Sequence, residues 1–414
     1  MKNIKKIFSM ILVAVLFIQN FLNIGVLANS NDNISSYEDF INDMDEFIIS
    51  EVGYDFLVNH NDSMEQINLF YEYLPMNRLG QVMYPYYFGG MYIDEEGNLV
   101  VLQVESPYDS EIGSRFSDDI IVKMVEFSYN EIMMIHNQLT RIFTNEYLKY
   151  PNLAGSWTDI INNRVVVTLF EYNDEAISNF KENVSQSPLI VFEEYEILNL
   201  YEESYLDKAE SMMNNYSQIT PLNNVTVSPG DTIRMGSSTG GRCSVGFRVG
   251  NRGVRGFVIA AHCGGNGTRV YNASGRHIGT VRSRFLEHID ASFVEINANV
   301  NVGSVLPYAV QLAPVAATPV VGQIIISRGA INGMRSGLIS RVNYNTTITG
   351  VGTITNALRT TLIGSPGDSG GVAFSRFNGQ IHHIQGIVIG GQNNANGIVS
   401  RTSEITRRTG WNLQ

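Results

Sequence analysis

Ser369 stands in the run Gly367-Asp368-Ser369-Gly370-Gly371. Glycines there permit a tight turn that can aim the amides of Gly367 and Ser369 at one point. That is the arrangement of an oxyanion hole, where each well-placed donor is worth roughly 3 kcal/mol of transition-state stabilisation. A serine hydroxyl becomes a useful nucleophile only when a base removes its proton. His262, at the end of the apolar run Gly256 to Ala261, is the best candidate for that base. Asp290 is the natural orienter of its imidazole. The C-terminal half holds three aspartates, of which Asp368 belongs to the serine turn and Asp231 lies near the start of the half.

Those residues lie in a stretch of short alternating runs separated by Gly, Asn and Ser: Val245 to Val249, Gly256 to Ala260, Ala291 to Ile296, Gln323 to Ser327, Leu338 to Tyr344, Thr353 to Leu362 and Ile384 to Ile389. Such segments predict an all-β sandwich or barrel. Within this stretch only Ser403 to Trp411 offers a helical pattern, with Ser403 as its cap and arginines in the later turns. Before about residue 220 the pattern differs. Ser36 to Val52, Asp118 to Tyr150 and Asp174 to Val184 place apolar residues three and four apart, which predicts helices. Leu99 to Val104, Arg164 to Leu169 and Leu189 to Phe192 read as strands, the last two flanking a helix in a strand-helix-strand unit. This half has two histidines, His60 and His136, and no cysteine, so it carries no catalytic constellation. Its carboxylates read as solvated faces.

The chain has 414 residues, 44% hydrophobic and 16% charged, a composition of two or three folded domains rather than of disorder. A net charge of -12 conceals a division. From Pro221 onward there are 17 arginines, no lysine and six acidic residues, a net of +11, whereas residues 29–220 carry -26. Thirty of the 38 glycines and both cysteines also lie after residue 220, and the boundary falls near Asn214 to Asp231. Lys2, Lys5 and Lys6 precede the almost wholly apolar Ile7 to Phe21, and Val26-Leu27-Ala28 supplies a small-residue cleavage site. The expectation is a secretory signal, with a retained membrane anchor as the alternative; no second apolar run is long enough to span a bilayer. In an oxidising compartment Cys243 and Cys263 read as one disulfide, worth about 3 kcal/mol. His382 and His383 are adjacent on a strand and must face opposite ways, which argues against a metal site, and His277 and His288 are expected to be exposed.

Ala260-Ala261-His262-Cys263, Asp290-Ala291 and Gly367-Asp368-Ser369-Gly370-Gly371, in that order, resemble the secreted bacterial chymotrypsin-like serine peptidases of the alpha-lytic protease and streptogrisin type. The resemblance covers most of residues 241–414, and Arg242-Cys243-Ser244-Val245-Gly246-Phe247 is similar to the start of that family's mature domain. Phe88 to Asp94 with Leu99 to Val101, and Val166 to Phe192, resemble segments of its long propeptide. The resemblance implies two six-stranded antiparallel Greek-key barrels preceded by an α+β propeptide. The expected division is a signal over 1–28, an acidic propeptide acting as folding assistant and inhibitor over 29–220, and a protease over 221–414. It also implies His262, Asp290 and Ser369 as triad, Gly367 and Ser369 as oxyanion donors, a disulfide between Cys243 and Cys263, and no metal or other cofactor.

The family pairs the aspartate before its nucleophile with an arginine, which points to Arg328 as partner of Asp368, although Arg328 stands one position later than the family pattern. The family's serine before the glycine pair is Ile389 here. The pocket reading the acyl-side residue is expected to be walled by Ile363, Gly364, Ser365, Pro366, Val388, Ile389, Gly390 and Gly391, none of them charged. Preference for apolar side chains over Lys, Arg or Glu follows. The expected partners are protein or peptide substrates and the chain's own acidic leader, which the opposite charges draw onto the basic half. The mature domain is expected to be a secreted monomer, without stable membrane anchor, possessing a basic surface suited to anionic cell walls. No basic helix or aromatic-basic module points to nucleic acid. The alternatives are an idle protease-fold binding or adhesion protein and a narrow processing protease or toxin.

Overall fold

The computed structural model describes residues 46, 48–78, 82–105, 116, 120–198, 224–306, 310–377, 381–392 and 395–414. The expected signal, most of the expected helix Ser36 to Val52, and the boundary segment up to residue 223 lie outside the described residues. Residues 47–414 form one unit. No helix among the described residues is long and apolar enough to cross a membrane.

The leader half begins with helix α1 (Tyr54–Tyr73), which buries Phe56, Leu57, Ile67 and Phe70 together with His60 and Ser63. Beside it lies a sheet of β1 (Phe88–Ile93), β2 (Leu99–Val104) and β3 (Ile121–Val125), with β1 antiparallel and β3 parallel to β2. The turn joining β1 to β2 is held by the Asp94 carboxylate, which accepts the N–H groups of Glu96 and Asn98, and Ser63 Oγ donates to Gly97 O at 2.8 Å. The single helix expected over Asp118 to Tyr150 is instead β3 followed by α2 (Tyr129–Arg141), opened by a capping box between Ser128 and Glu131. The β-branched Ile121, Val122 and Val125 favour the strand, and the capping box sets where the helix starts. Strands β4 (Leu153–Asp159) and β5 (Arg164–Leu169) form a hairpin. Helix α3 (Asp174–Asn183) then leads to β6 (Ile190–Glu194), parallel to β5, completing the strand-helix-strand unit.

The basic half is two antiparallel barrels. The first comprises β8 (Thr232–Met235), β9 (Arg242–Ser244), β10 (Arg248–Asn251), β11 (Val254–Ile259), β12 (Arg269–Asn272), β13 (His277–Phe285) and β14 (Ala291–Ile296). Its strand count is six when β9 and β10 are taken as arms of one bent strand, and β23 (Asn412–Leu413) adds at the edge. The preceding β7 (Val225–Val227) pairs parallel with β15 (Val300–Val302). The second barrel comprises β17 (Ile324–Gly329), β18 (Gly333–Ile348), β19 (Gly352–Thr360), β20 (Val372–Phe377), β21 (Ile381–Gln392) and β22 (Ala395–Arg401), closed by pairing of β17 with β18, while β16 (Gln311–Ala316) adds to β21. Helix α4 (Thr402–Thr409) follows, and its N-cap is Arg401 with no side-chain bond rather than Ser403.

The leader and the second barrel share one sheet, because β4 pairs antiparallel with β18. They also share a core: Leu102, Ile132 and Val167 of the leader belong to the same buried cluster as Ile325, Ile339 and Leu358. At the β1 end, Ile93 N–H donates to Val321 O at 2.9 Å, and the backbone comes so close that any side chain at Gly322, φ 84°, would collide with Ile93. Around the shared edge the contacts are largely neutral. Asn345 Nδ2 donates to Ser156 Oγ at 3.0 Å and to Thr140 Oγ1 at 2.9 Å, and the Arg341 guanidinium sits 3.8 Å from the centre of the Trp157 ring. Glu196 pairs with Arg359 at 2.6 Å, an ion pair of the kind the charge division led us to expect.

Both leader histidines lie on this seam. His60 Nε2 accepts the Ile324 N–H at 2.9 Å, and His136 Nε2 bonds Asn356 Oδ1 at 2.7 Å. Burial pulls each imidazole down to about 4, with Arg376 adding to the effect at His60; at His136 Arg401 lowers further while Glu404 opposes it. A histidine whose folded value lies below its unfolded value, about 6.5, stabilises the seam fully above that unfolded value and loses the contribution as pH falls toward 4. Denaturant unfolding of the intact chain from pH 7 to 4 is therefore expected to show falling stability, and the slope should flatten in His60→Gln with His136→Gln. An unchanged slope in that double variant would remove the histidines as its cause.

Candidate active site

Strand β11 is buried from Gly256 onward and ends in a single 3-10 turn, Ala261–Cys263, that carries His262. Arg284 Nε donates to Ala261 O at 2.9 Å, and Cys263 is bonded to Cys243 of β9. Asp290 immediately precedes β14, the neighbour of β11, with Ile259 opposite Ser292. That register brings a fully buried carboxylate to the turn: Asp290 Oδ1 accepts the His262 N–H at 2.9 Å, and Oδ2 is hydrogen-bonded to His262 Nδ1. The approach to Asp290 is fastened to the second barrel. His288, at φ 67°, donates its N–H to Thr353 O and accepts from Thr355 N–H. His277 and His288 are half-buried rather than exposed, and desolvation lowers the His288 value.

Ser369 comes from the second barrel, in the turn before β20, and is 5% exposed. Gly367 at φ 102° and Gly370 at φ 89° take left-handed backbone that L side chains adopt only with strain. Asp368 N–H turns back to Ser365 O, Gly370 N–H goes to Val388 O and Gly371 N–H to Asp368 O. Among the described residues the N–H groups of Gly367 and Ser369 have no acceptor. The seam between barrels is made by Ser244, a residue of the Arg242 to Phe247 motif to which the sequence assigned no role of its own. Its N–H donates to Ser369 O at 2.9 Å, its Oγ donates to Gly367 O at 2.7 Å, and the same Oγ accepts Ala330 N–H at 2.9 Å. Cys263 Sγ stands 3.9 Å from Ser369 O, so the serine turn abuts the residue next to His262.

Of the expected pocket residues, Ile363 is 59% exposed, whereas Val388 and Ile389 are buried on β21 and Val388 belongs to the second-barrel core. Gly364, Gly390 and Gly391 are buried, and Ser365 and Pro366 half-buried. Arg328 requires a correction. Its guanidinium bonds Pro229 O and pairs with Asp231 at 3.1 Å. Asp368 instead accepts the N–H groups of Ile331, Asn332 and Ser365, and Asn332 Nδ2. One residue of displacement along a strand reverses the side-chain direction, which sends Arg328 to the N-terminal segment. His382 is buried and His383 half-buried, and no metal-holding cluster of His, Cys, Asp or Glu occurs among the described residues.

Double barrels with histidine and aspartate on one and serine on the other define a chymotrypsin-like fold, here preceded by a leader of helices and strands. Residues 37–132 match the Pro-like N-terminal domain and residues 130–195 the Pro-like C-terminal domain. Streptogrisin-C of Streptomyces griseus is 34% identical over 168 residues, 40% of this chain and 35% of that protein. Serine protease 1 of Streptomyces fradiae is 35% identical over 153 residues, 36% of this chain and 42% of that protein. The chain thus spans less than half the length of either of these relatives. Among solved structures, Nocardiopsis protease (NAPase) is 28% identical, covering 46% of this chain and 100% of that chain, with a TM-score of 0.40. The basic half is thus similar to streptogrisin-type bacterial serine proteases, and the half before it matches Pro-like domains.

The disulfide closes a loop with a separation of 20 residues. Replacing both Cys243 and Cys263 by serine is expected to cost about 3 kcal/mol. Denaturant titration of the two proteins would measure it, and a loss below about 1 kcal/mol would leave the bond no role in stability beyond that of an ordinary contact.

Proposed function

We propose that the chain is the precursor of a secreted serine endopeptidase, with signal over 1–28, leader over 29–220 and protease over 221–414. The observation that carries this reading is the half-buried His262 held by the fully buried Asp290 on one barrel, with a serine turn on the other whose Gly367 and Ser369 amides lack acceptors among the described residues. Ser369 Oγ attacks the scissile carbonyl as His262 takes its proton. Asp290 holds the imidazole tautomer and stabilises the imidazolium. The Gly367 and Ser369 N–H groups receive the developing oxyanion. His262 then returns the proton to the leaving amine, and water releases the acyl group by the same steps in reverse. All of this is done by side chains and backbone, with no cofactor required.

The leader acts as folding assistant and temporary inhibitor, since β4 extends the sheet of the second barrel at β18 and the two share a buried core. Uncharged residues at 363–366 and 388–391 favour cleavage after apolar side chains. A chromogenic peptide panel is expected to be cut fastest after such residues, and fastest cutting after Arg or Glu would overturn this preference. Ile389, standing where the family pattern has serine, is the local feature that favours one rival, a protease-fold binding protein.

Intact mass and N-terminal sequencing of secreted wild type and Ser369→Ala, each with a fluorophosphonate probe, test the activity. Expected are a labelled wild-type fragment beginning between about residues 214 and 231 and an unlabelled full-length variant with kcat down at least ~10⁴-fold. Identical processing and no label in either would leave the binding protein.

A further inference from the structure

Asp368 precedes the nucleophile of the proposed reaction, and its carboxylate is buried, at 5% exposure. Its hydrogen-bond donors are all neutral. The N–H groups of Ile331 at 2.8 Å and Asn332 at 3.1 Å reach Oδ1, and that of Ser365 at 3.0 Å reaches Oδ2. Oδ2 also receives the one side-chain donor of the set, Asn332 Nδ2, which bonds Ser365 Oγ at 2.9 Å as well. Gly329 lies so near that a side chain there would collide with the same carboxylate. Asn332 therefore joins two parts of the site: the residue between the oxyanion amides, and the segment 363–366 assigned to the acyl-side pocket.

We propose that Asn332 is a positioning residue for the reaction, holding Asp368 so that the Gly367 and Ser369 amides keep their aim. It takes the role that the sequence pattern assigned to Arg328. The inference rests on Ser369 being the nucleophile. The three backbone donors are fixed by the shape of the chain, so loss of the Asn332 amide leaves the turn folded, with Oδ2 held by the Ser365 N–H alone and the turn able to shift slightly about Asp368. A misplacement of ~1 Å costs about 10²-fold in rate. The exchange of a cation for an amide also has a distinctive electrostatic signature. An aspartate at 332 would set two carboxylates against each other, and such a pair is accommodated only when it shares a proton.

The test uses full-length precursors of wild type, Asn332→Ala and Asn332→Asp, allowed to mature and counted by fluorophosphonate labelling to completion. For Asn332→Ala the kcat per labelled site is expected to fall ~10- to 100-fold with KM changed less than about threefold, the split expected when transition-state contacts are lost. For Asn332→Asp the ratio of its kcat to that of wild type should rise as pH falls from 8 to 5. Unchanged kcat per labelled site in Asn332→Ala would overturn the proposal, as would a flat ratio for Asn332→Asp or its failure to label at any pH. Should Asn332→Ala not mature, the isosteric Asn332→Asp profile decides alone. Absence of label in the wild type itself overturns the protease reading instead, so the two failures are distinct.

Discussion

Where the bent strand of the first barrel crosses the glycine turn of the second, Ser244 bonds Ser369 and Gly367 through both backbone and hydroxyl. The proposed catalytic arrangement depends on this crossing. His262 and Asp290 belong to one barrel and are mutually fixed by strand register, while Ser369 belongs to the other. Gly370 has to be bare for the crossing to occur, because a Cβ there would lie 2.6 Å from Ser244 O. The disulfide lies within the first barrel and ties the residue beside Ser244 covalently to the residue beside His262. Side-chain chemistry is thus laid over a backbone junction, and the junction sets its geometry.

The leader is attached by the same kind of force. Opposite net charges promote encounter over distance, but exposed ion pairs add little once surfaces meet. The seam relies instead on a β4–β18 ladder, amides such as Asn345, and an arginine laid on an indole. Buried amides are demanding partners, because each unmet donor or acceptor costs far more than a met one returns. That makes them selective for one register.

Much of the site was legible because its residues are close to one another in sequence motifs: Ala260 to Cys263, Gly367 to Gly371, and an aspartate scarce in its half. Arg328 and Asn332 were not, since the first turns on the direction in which a strand residue points and the second on the hairpin turn between β17 and β18. The strand-helix-strand unit over 164–194 was readable from clean periodicity. Helix α1 escaped because its buried face includes His60 and Ser63, polar residues whose partners lie 34 residues or more away. Strands β12 and β13 escaped as well, with Arg269, Arg282 and Arg284 exposed where a barrel turns its outer face to water. The resemblance to known proteases supplied the barrel topology, which period-two patterns left open between sandwich and barrel.

The shared sheet bears on inheritance. Asn343, Asn345 and Asn356 on one side and Ser156, Thr158 and Thr140 or His136 on the other form matched sets. A change in either set is felt by the other, so the two halves drift as a pair, although under the proposed maturation only one of them is kept. A leader taken from a distant relative would bring the right fold and the wrong side of the lock.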